Sequence, residues 1–450
     1  MHGPEETITA LATPPGEGAL AVIRISGSRS LEALRGLAGD ASFEPEPRHL
    51  HFLELRDGDE ILDQVMAAWL PGPRSYTGED SVEIYAHGGA LAARGILSAL
   101  ERRGLRPAEA GEFSYRAFLN GRMDLMQAEA VAELIHSRGE AARRLALGHL
   151  EGALSRTLAP LLAQLRALLR DVELGIDFVE EDVEFLPEAE RDARVASLLA
   201  DTESLLEGAR AGRVVREGLD LVLAGSPNTG KSSLFNALLS EERAIVTAEP
   251  GTTRDVLRES WLREGLVFHL HDTAGLREAA GDAESLGVGR SETLLERASL
   301  TLWVMDGARE IEADEKRRLA ELEPARCLVL ANKSDLQGYD LERCRAALPE
   351  GLELVSVSAL TGDGMDELGS AILERALPAA ELEARAALNR RQEARIRGMR
   401  ERLASIGKGQ ETELVARELR SALAELEELT GDRVGEAVLD EIFAEFCIGK

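Results

Sequence analysis

Apolar and polar positions along the 450-residue chain change rhythm three times. Over residues 1 to about 118, short apolar runs alternate with turns. Leu20 to Ser26 (LAVIRIS) is rich in β-branched residues and stops at Gly27, and Val82 to Tyr85 runs into His87-Gly88-Gly89. Pro14-Pro15-Gly16 and Pro71-Gly72-Pro73 punctuate these runs as turns, so a compact α+β domain is predicted. From about Asp124 the texture becomes helical. Gln127 to Leu174 carries apolar residues at three- and four-residue spacing, and Glu188 to Ala209 continues the pattern. Between Gly218 and about Ala376 the order is strand, loop, helix, repeated. Leu219 to Ala224, Val267 to His271, Leu302 to Met305, Cys327 to Ala331 and Leu352 to Val357 read as buried strands, which predicts a parallel sheet with crossovers. After Pro378 the helical texture returns, almost to Phe446. The expected architecture is multidomain: an α+β domain over 1–119, an all-α domain in two parts (120–215 and 378–450), and an α/β domain over 216–377 inserted between those parts.

Composition narrows the surroundings. No stretch approaches the roughly 20 apolar residues that a helical membrane span needs. Glu5 and Glu6 stand where a secretory signal would have a basic start and an apolar run. Cys327, Cys344 and Cys447 are far apart with no CxxC pair, which argues against a disulfide framework or zinc site. A cytoplasmic protein with no membrane partner is expected. The formal net charge of −29 repels phosphate backbones at long range, so nucleic-acid binding would need a local basic patch or a basic partner.

The candidate chemistry lies in the inserted domain. Gly225-Ser226-Pro227-Asn228-Thr229-Gly230-Lys231-Ser232 fits GxxxxGK[ST] directly after a predicted strand. In such a loop the backbone amides, through Thr229, Gly230 and Ser233, cradle phosphates. Lys231 supplies charge to the β and γ oxygens, and Ser232 ligates Mg²⁺. Asp272-Thr273-Ala274-Gly275 ends a strand, with Asp272 set to hold Mg²⁺ through water and Gly275 to meet the γ-phosphate. In Asn332-Lys333-Ser334-Asp335 the last carboxylate can accept the two N–H groups on guanine's edge, and Ser358-Ala359-Leu360 suits a loop over the base. Four motifs in this order, each at a strand's C-terminal edge, predict a Ras-like P-loop GTPase domain that uses GTP and Mg²⁺. Thr247 to Asp255 is a candidate switch loop, with Thr253 the better Mg²⁺ ligand. Leu276 follows Gly275 and cannot orient the attacking water, so another polar group must, from a loop offering Arg277, Glu278, Asp282 and Glu284. No arginine finger is legible.

The chain resembles, from end to end, the MnmE (TrmE) family of tRNA modification GTPases. The resemblance rests on Thr13-Pro14-Pro15-Gly16, Arg24-Ile25-Ser26-Gly27, Tyr76-Thr77-Gly78-Glu79-Asp80, His87-Gly88-Gly89, Gly111-Glu112-Phe113-Ser114 and Ala117-Phe118-Leu119-Asn120. Gly251-Thr252-Thr253-Arg254-Asp255 and the closing Phe446-Cys447-Ile448-Gly449-Lys450 complete it. It implies an enzyme that, with an FAD-containing MnmG-type partner, adds a (carboxymethyl)aminomethyl group to carbon 5 of the wobble uridine in certain tRNAs. It implies an N-terminal domain that forms a homodimer and binds a tetrahydrofolate derivative. The matching folate positions are Arg24, Glu83 and Arg122, with Lys450 nearby; many members have lysine at 122. It also implies K⁺ beside the phosphates, held by Asn228 and by Thr247, Glu249 and Thr252 through backbone oxygens, and Glu284 as the water-positioning residue.

Some residues carry two readings. Cys447 is either a nucleophile or acid in the uridine chemistry, or a terminal cysteine packed beside Phe443 and Phe446. The run Asp177 to Glu184 reads as a solvated acidic loop rather than a metal site. Arg390, Arg391, Arg395, Arg397, Arg400 and Arg402 read as a helix face paired with glutamates ahead of a tRNA contact. His269 and His271 read as strand positions rather than ligands. The alternative class is a regulatory or ribosome-assembly GTPase switch. A KH-like RNA domain after the GTPase region would favour it, and no GXXG segment stands there.

Overall fold

The computed structural model describes residues 6–177, 186–241, 258–272, 298–376 and 387–450. The chain divides into two compact units. One comprises Met1–Ala132, His149–Phe185 and Gln410–Lys450, the other Glu133–Gly148 and Leu186–Gly409.

In the first unit the N-terminal segment forms β1 (Ile8–Leu11), β2 (Leu20–Ser26), α1 (Ser30–Ala38), β3 (Leu50–Asp57), β4 (Glu60–Leu70), β5 (Ser81–His87), α2 (Ala90–Arg102), β6 (Arg106–Pro107) and α3 (Glu112–Leu119). The six strands make one sheet in the order β3-β4-β5-β2-β1-β6, antiparallel except where β6 joins β1. Strand alternation sends Ile23, Ile25 and Ile84 to one face, where Leu34 and Leu37 of α1 and Ile96 and Leu100 of α2 complete a core. The opposite face carries Arg24, Glu83 and Tyr85 in register with Leu50 and Phe52 of β3. That placement leaves Leu50 56% and Phe52 67% exposed. The α+β expectation holds; the β3–β4 hairpin was not legible, because its two faces are both partly solvated.

The Gln127 to Leu174 pattern resolves into α4 (Leu125–His136), α5 (Glu140–Leu150) and α6 (Ala153–Asp177), the last with Pro160 inside it. The rest of the acidic run, 178–184, lies outside the described residues. The helix α7 (Glu188–Glu217) then leads into the second unit's sheet. Its elements are β7 (Leu219–Ala224), α8 (Lys231–Glu241), β8 (Arg258–Arg263), β9 (Leu266–Asp272), β10 (Leu300–Asp306), α9 (Ala313–Ala320), β11 (Cys327–Asn332), α10 (Leu341–Ala346), β12 (Glu353–Ser356) and α11 (Met365–Ala376). The strand order is β12-β11-β10-β7-β9-β8. Five strands are parallel as expected, and each of β9 and β11 is buried along its whole length. This follows from helices on both faces of the sheet, which leave no polar-out positions. The sixth strand, β8, runs antiparallel at the edge; its RESWLR sequence lacks the continuous apolar run of its neighbours.

Helix α12 (Arg390–Ala404) opens with a capping box, Asn389 and Gln392 each satisfying the other's backbone amide. It packs along α7. Its arginines pair with carboxylates: Arg390 with Glu217, Arg397 with Glu393 and Arg400 with Glu203. The paired-face reading of this basic stretch is therefore the structure's. Back in the first unit, α13 (Thr412–Thr430) lies along α6, tied by Arg166–Glu427 at 2.9 Å and Arg420–Glu173 at 2.8 Å. The last helix, α14 (Glu436–Ala444), buries Phe443 against Leu125, Val131 and Phe446.

Candidate functional site

The sheet order puts β7 between β10 and β9, so the loop leaving β7 sits where the chain's progression across the sheet reverses. That is where open α/β sheets form their ligand crevice. Gly225 opens the loop at φ +137°, and a Cβ there would lie 2.1 Å from the Val304 carbonyl, so only glycine fits. Asn228 takes the left-handed conformation, φ +62°, and Gly230 at φ +94° passes against the Asn332 amide. The loop then feeds α8, whose first turn carries Lys231, Ser232 and Ser233. The Lys231 ammonium reaches back to donate to the carbonyls of Gly225 (3.1 Å) and Ser226 (2.7 Å), so its charge lies across the loop's concave side. Ser232 and Ser233 are exposed at the helix start, where backbone N–H groups and the helix dipole favour an anion.

The neighbouring strands deliver the remaining groups. Asp272, the last residue of β9, accepts a hydrogen bond from Ser232 Oγ at 3.0 Å. A hydroxyl and a carboxylate so joined are two hard oxygen donors, the set that suits Mg²⁺. Asn332, ending β11 and buried, donates from Nδ2 to the Thr229 carbonyl (2.9 Å) and accepts at Oδ1 from the Ala359 N–H (3.1 Å). One side chain thereby ties the phosphate loop to the Ser358-Ala359-Leu360 loop. Lys333 donates to the Asn228 carbonyl (2.9 Å) and to Asp306 (2.7 Å). Asp335 is exposed, and the Ser358 hydroxyl donates to its Oδ1 at 2.6 Å, which orients the carboxylate. The structure thus brings together Asn228, Thr229, Gly230, Lys231, Ser232, Ser233, Asp272, Asn332, Lys333, Asp335, Ser358 and Ala359. Thr247, Glu249, Thr252, Thr253, Thr273, Ala274, Gly275 and Glu284 lie outside the described residues. Asp306 was missed by sequence reasoning; its signal was an acidic residue at the end of β10, the position of Asp272 and Asn332 on their own strands. His269 and His271 are buried on β9, bonded to the Glu217 carbonyl and to Asp220, as strand positions rather than ligands.

A second cluster forms in the first unit. Arg24 and Glu83 face each other across β2 and β5, with Arg24 Nη2 2.8 Å from Glu83 Oε1. Tyr85 donates to Glu83 Oε2 (2.8 Å). The chain's C-terminus arrives here through a bridge between Ile448 and Ala110, and Arg24 Nη1 donates to the Gly449 carbonyl at 3.2 Å. Gly449, at φ +93°, passes so close to Leu11 that a Cβ would sit 2.6 Å from its carbonyl. Tyr76 supplies a ring 5.1 Å from the Arg24 guanidinium and 6.0 Å from the Lys450 ammonium. Burial, and then the Arg24 charge, hold the Lys450 ammonium below the usual lysine range, with Glu83 and Cys447 pulling it back up. Arg24, Glu83 and Lys450 are therefore one cluster. Arg122 is exposed, its aliphatic stem lying against Gly78 rather than on those three. Cys447 is exposed, and the Phe443 and Phe446 rings before it lie tilted against each other with centroids 5.2 Å apart.

A parallel sheet with a lysine-bearing phosphate loop, an Asp on the adjacent strand and an Asn-Lys-x-Asp turn defines a P-loop GTPase. Two family models match the chain: the GTP-binding protein TrmE N-terminus over residues 7–122 and the MnmE helical domain over 125–447. The tRNA modification GTPase MnmE of Symbiobacterium thermophilum is 42% identical, over 99% of this chain and 100% of that protein. Its counterpart from Moorella thermoacetica is 41% identical, also over 99% and 100%. Over 35% of this chain and 99% of its own, the G domain of the T. maritima FeoB iron transporter is similar at 27% identity and a TM-score of 0.26. The chain belongs to the MnmE family of tRNA modification GTPases. Among the described residues no helix is long and apolar enough to cross a membrane.

Proposed function

We propose that this tRNA modification GTPase works with an FAD-containing partner of the MnmG type to add a (carboxymethyl)aminomethyl group to carbon 5 of the wobble uridine of certain tRNAs, in the cytoplasm. The carbon is drawn from a tetrahydrofolate derivative. The observation that carries the reading is the cluster of Arg24, Glu83 and Lys450 on the open face of the N-terminal sheet. Its donor set fits such a group: a carboxylate for ring N–H donors, cations for an anionic tail, and the Tyr76 ring beside them. Bound there, the folate would supply the one-carbon unit. Arg24, Glu83 and Lys450 would orient it, with Arg122 at the margin and Cys447 exposed three residues before Lys450.

In the GTPase domain Lys231 holds the β and γ oxygens, Asp335 reads guanine's edge, and Ser232 with Thr253 holds Mg²⁺, which neutralises phosphate charge. Asn228, Thr247, Glu249 and Thr252 hold K⁺ where an arginine finger would act, and Glu284 orients the water. The exposed Leu50 and Phe52, side by side on one face of β3, support a homodimer through the N-terminal domain, since apolar surface left open to water favours self-association. The pairing of Arg390, Arg397 and Arg400 with carboxylates, in a chain of net charge −29, supports a partner that supplies phosphate contacts to the tRNA.

Two measurements test this reading. Nucleoside analysis of tRNA from cells whose protein lacks Lys450 should reveal unmodified wobble uridine; intact modification would refute the one-carbon site. Asp335→Asn exchanges an acceptor for a donor at the base and should move preference from GTP toward xanthosine triphosphate. Unchanged preference would remove Asp335 from base recognition.

A further inference from the structure

β8 and β9 form an antiparallel hairpin that joins, along the chain, the candidate switch loop to the Asp272 motif. Thr247 to Asp255 precedes β8 in sequence, and β9 ends on Asp272, which holds Ser232 at 3.0 Å. The hairpin's tip, Glu264-Gly265, turns through two left-handed residues at φ +48° and +81°. That tip rests on the start of α5. The Gly265 carbonyl accepts the Ala141 N–H at 3.1 Å, and a Cβ on Gly139 would lie 2.4 Å from the same oxygen. From the other side, a Cβ on Gly265 would come within 3.3 Å of the Ala141 nitrogen and of Glu140. Ala141 itself packs against the core of the GTPase sheet. The base of the hairpin is held too, His269 bonding the last carbonyl of α7 at Glu217 (2.9 Å) while Gly218 passes under Val267.

The contact is backbone on backbone, with no flexible side chain between. A side-chain contact can absorb a shift of about 1 Å by changing rotamer, but a carbonyl seated on a glycine and on an N–H cannot. Any displacement of the tip must break the Ala141 hydrogen bond or carry the first turn of α5 with it. Loss of the γ-phosphate releases the segments that contact it in GTPases generally, and here those segments flank this hairpin in the chain.

We propose that the Gly139–Gly265 joint is the mechanical output of the GTPase, passing the nucleotide state through the β8–β9 hairpin to the α4–α5 junction. The proposal rests on the GTPase reading. Gly139 and Gly265 act by position, through the backbone contact between them.

Hydrogen exchange on the full-length wild-type protein tests it, with GDP and with a non-hydrolysable GTP analogue, after saturation by each has been measured directly. Amides of the α5 first turn should exchange at rates differing by at least about five-fold between the two states. Equal protection with both nucleotides bound overturns the joint while leaving the GTPase standing. Failure of either nucleotide to bind removes the GTPase reading and the joint with it. Gly139→Ala should keep nucleotide affinity within about two-fold and retain GTP turnover, yet lose the nucleotide-dependent difference in α5 and abolish tRNA modification in cells. A folded Gly139→Ala protein that keeps both would equally overturn the proposal. If that variant does not fold, the wild-type exchange decides alone.

Discussion

Asn332 is the side chain on which the nucleotide pocket most depends for its shape, and Asn332→Ala measures that dependence. Asn332 is buried and satisfies two backbone groups from different loops, the Thr229 carbonyl at 2.9 Å and the Ala359 N–H at 3.1 Å. Alanine leaves both without that partner. A buried carbonyl stranded in this way costs about 1–3 kcal/mol, and a half-buried N–H about 1 kcal/mol. The sum, about 2–4 kcal/mol, is a lowering of roughly 5–15 °C in the unfolding midpoint of a domain this size. The nucleotide should feel it too, because the loop that holds phosphate and the loop over the base lose their tie. GDP affinity should fall at least about ten-fold, which is 1.4 kcal/mol. Tryptophan fluorescence suits the assay: Trp261 and Trp303 lie in the second unit and Trp69 in the first, so a transition confined to the GTPase sheet is separable. Asn332→Asp is the informative control. It keeps an acceptor for Ala359 but sets a carboxylate against the Thr229 oxygen, and should be at least as damaging as alanine. An alanine variant with wild-type midpoint and GDP affinity would refute the reasoning.

Further expectations follow from other parts of the molecule. GTP turnover should be several-fold faster in KCl than in NaCl, given Asn228 in the phosphate loop and no legible arginine finger; equal rates would remove the K⁺ site. Arg116→Met should destabilise the N-terminal sheet by about 3 kcal/mol in urea unfolding followed at Trp69, because it removes a buried cation from Glu112 (2.9 Å) and Glu79 (3.1 Å). Glu112 also sets a pH dependence. Burial raises its pKa, but hydrogen bonds from Arg106, the Glu109 N–H and Arg116 outweigh that and hold it below 4.5. A lowered folded value means the unfolded chain binds more protons, so the stabilisation is complete above about pH 4.5 and is lost as pH falls through the folded pKa. Acid unfolding followed at Trp69 should therefore be steeper in wild type than in Glu112→Gln; matching curves would show that Glu112 contributes nothing.

The strands β7, β9, β10 and β11 were legible because burial on both faces of a parallel sheet demands unbroken apolar runs, which no other local structure requires at that length. The phosphate loop was legible for a related reason. Gly225 and Gly230 must approach other backbone too closely for a side chain, and Lys231 must follow them at a fixed offset, so the requirement is written in adjacent residues. The edge strand β8 escaped notice, since one solvated side relaxes its pattern. The pairing of Lys333 with Asp306 could not be read, and the meeting of the C-terminus with Arg24, 425 residues away from Gly449 along the chain, was expected from the family resemblance and from no local pattern. Local sequence sets periodicity, turns and caps, because those energies depend on neighbours within a few residues. Which distant surfaces meet, as at Gly139 and Gly265, was decided only by the packing of whole elements, where the gain from burial outweighs the entropy of closing a long loop.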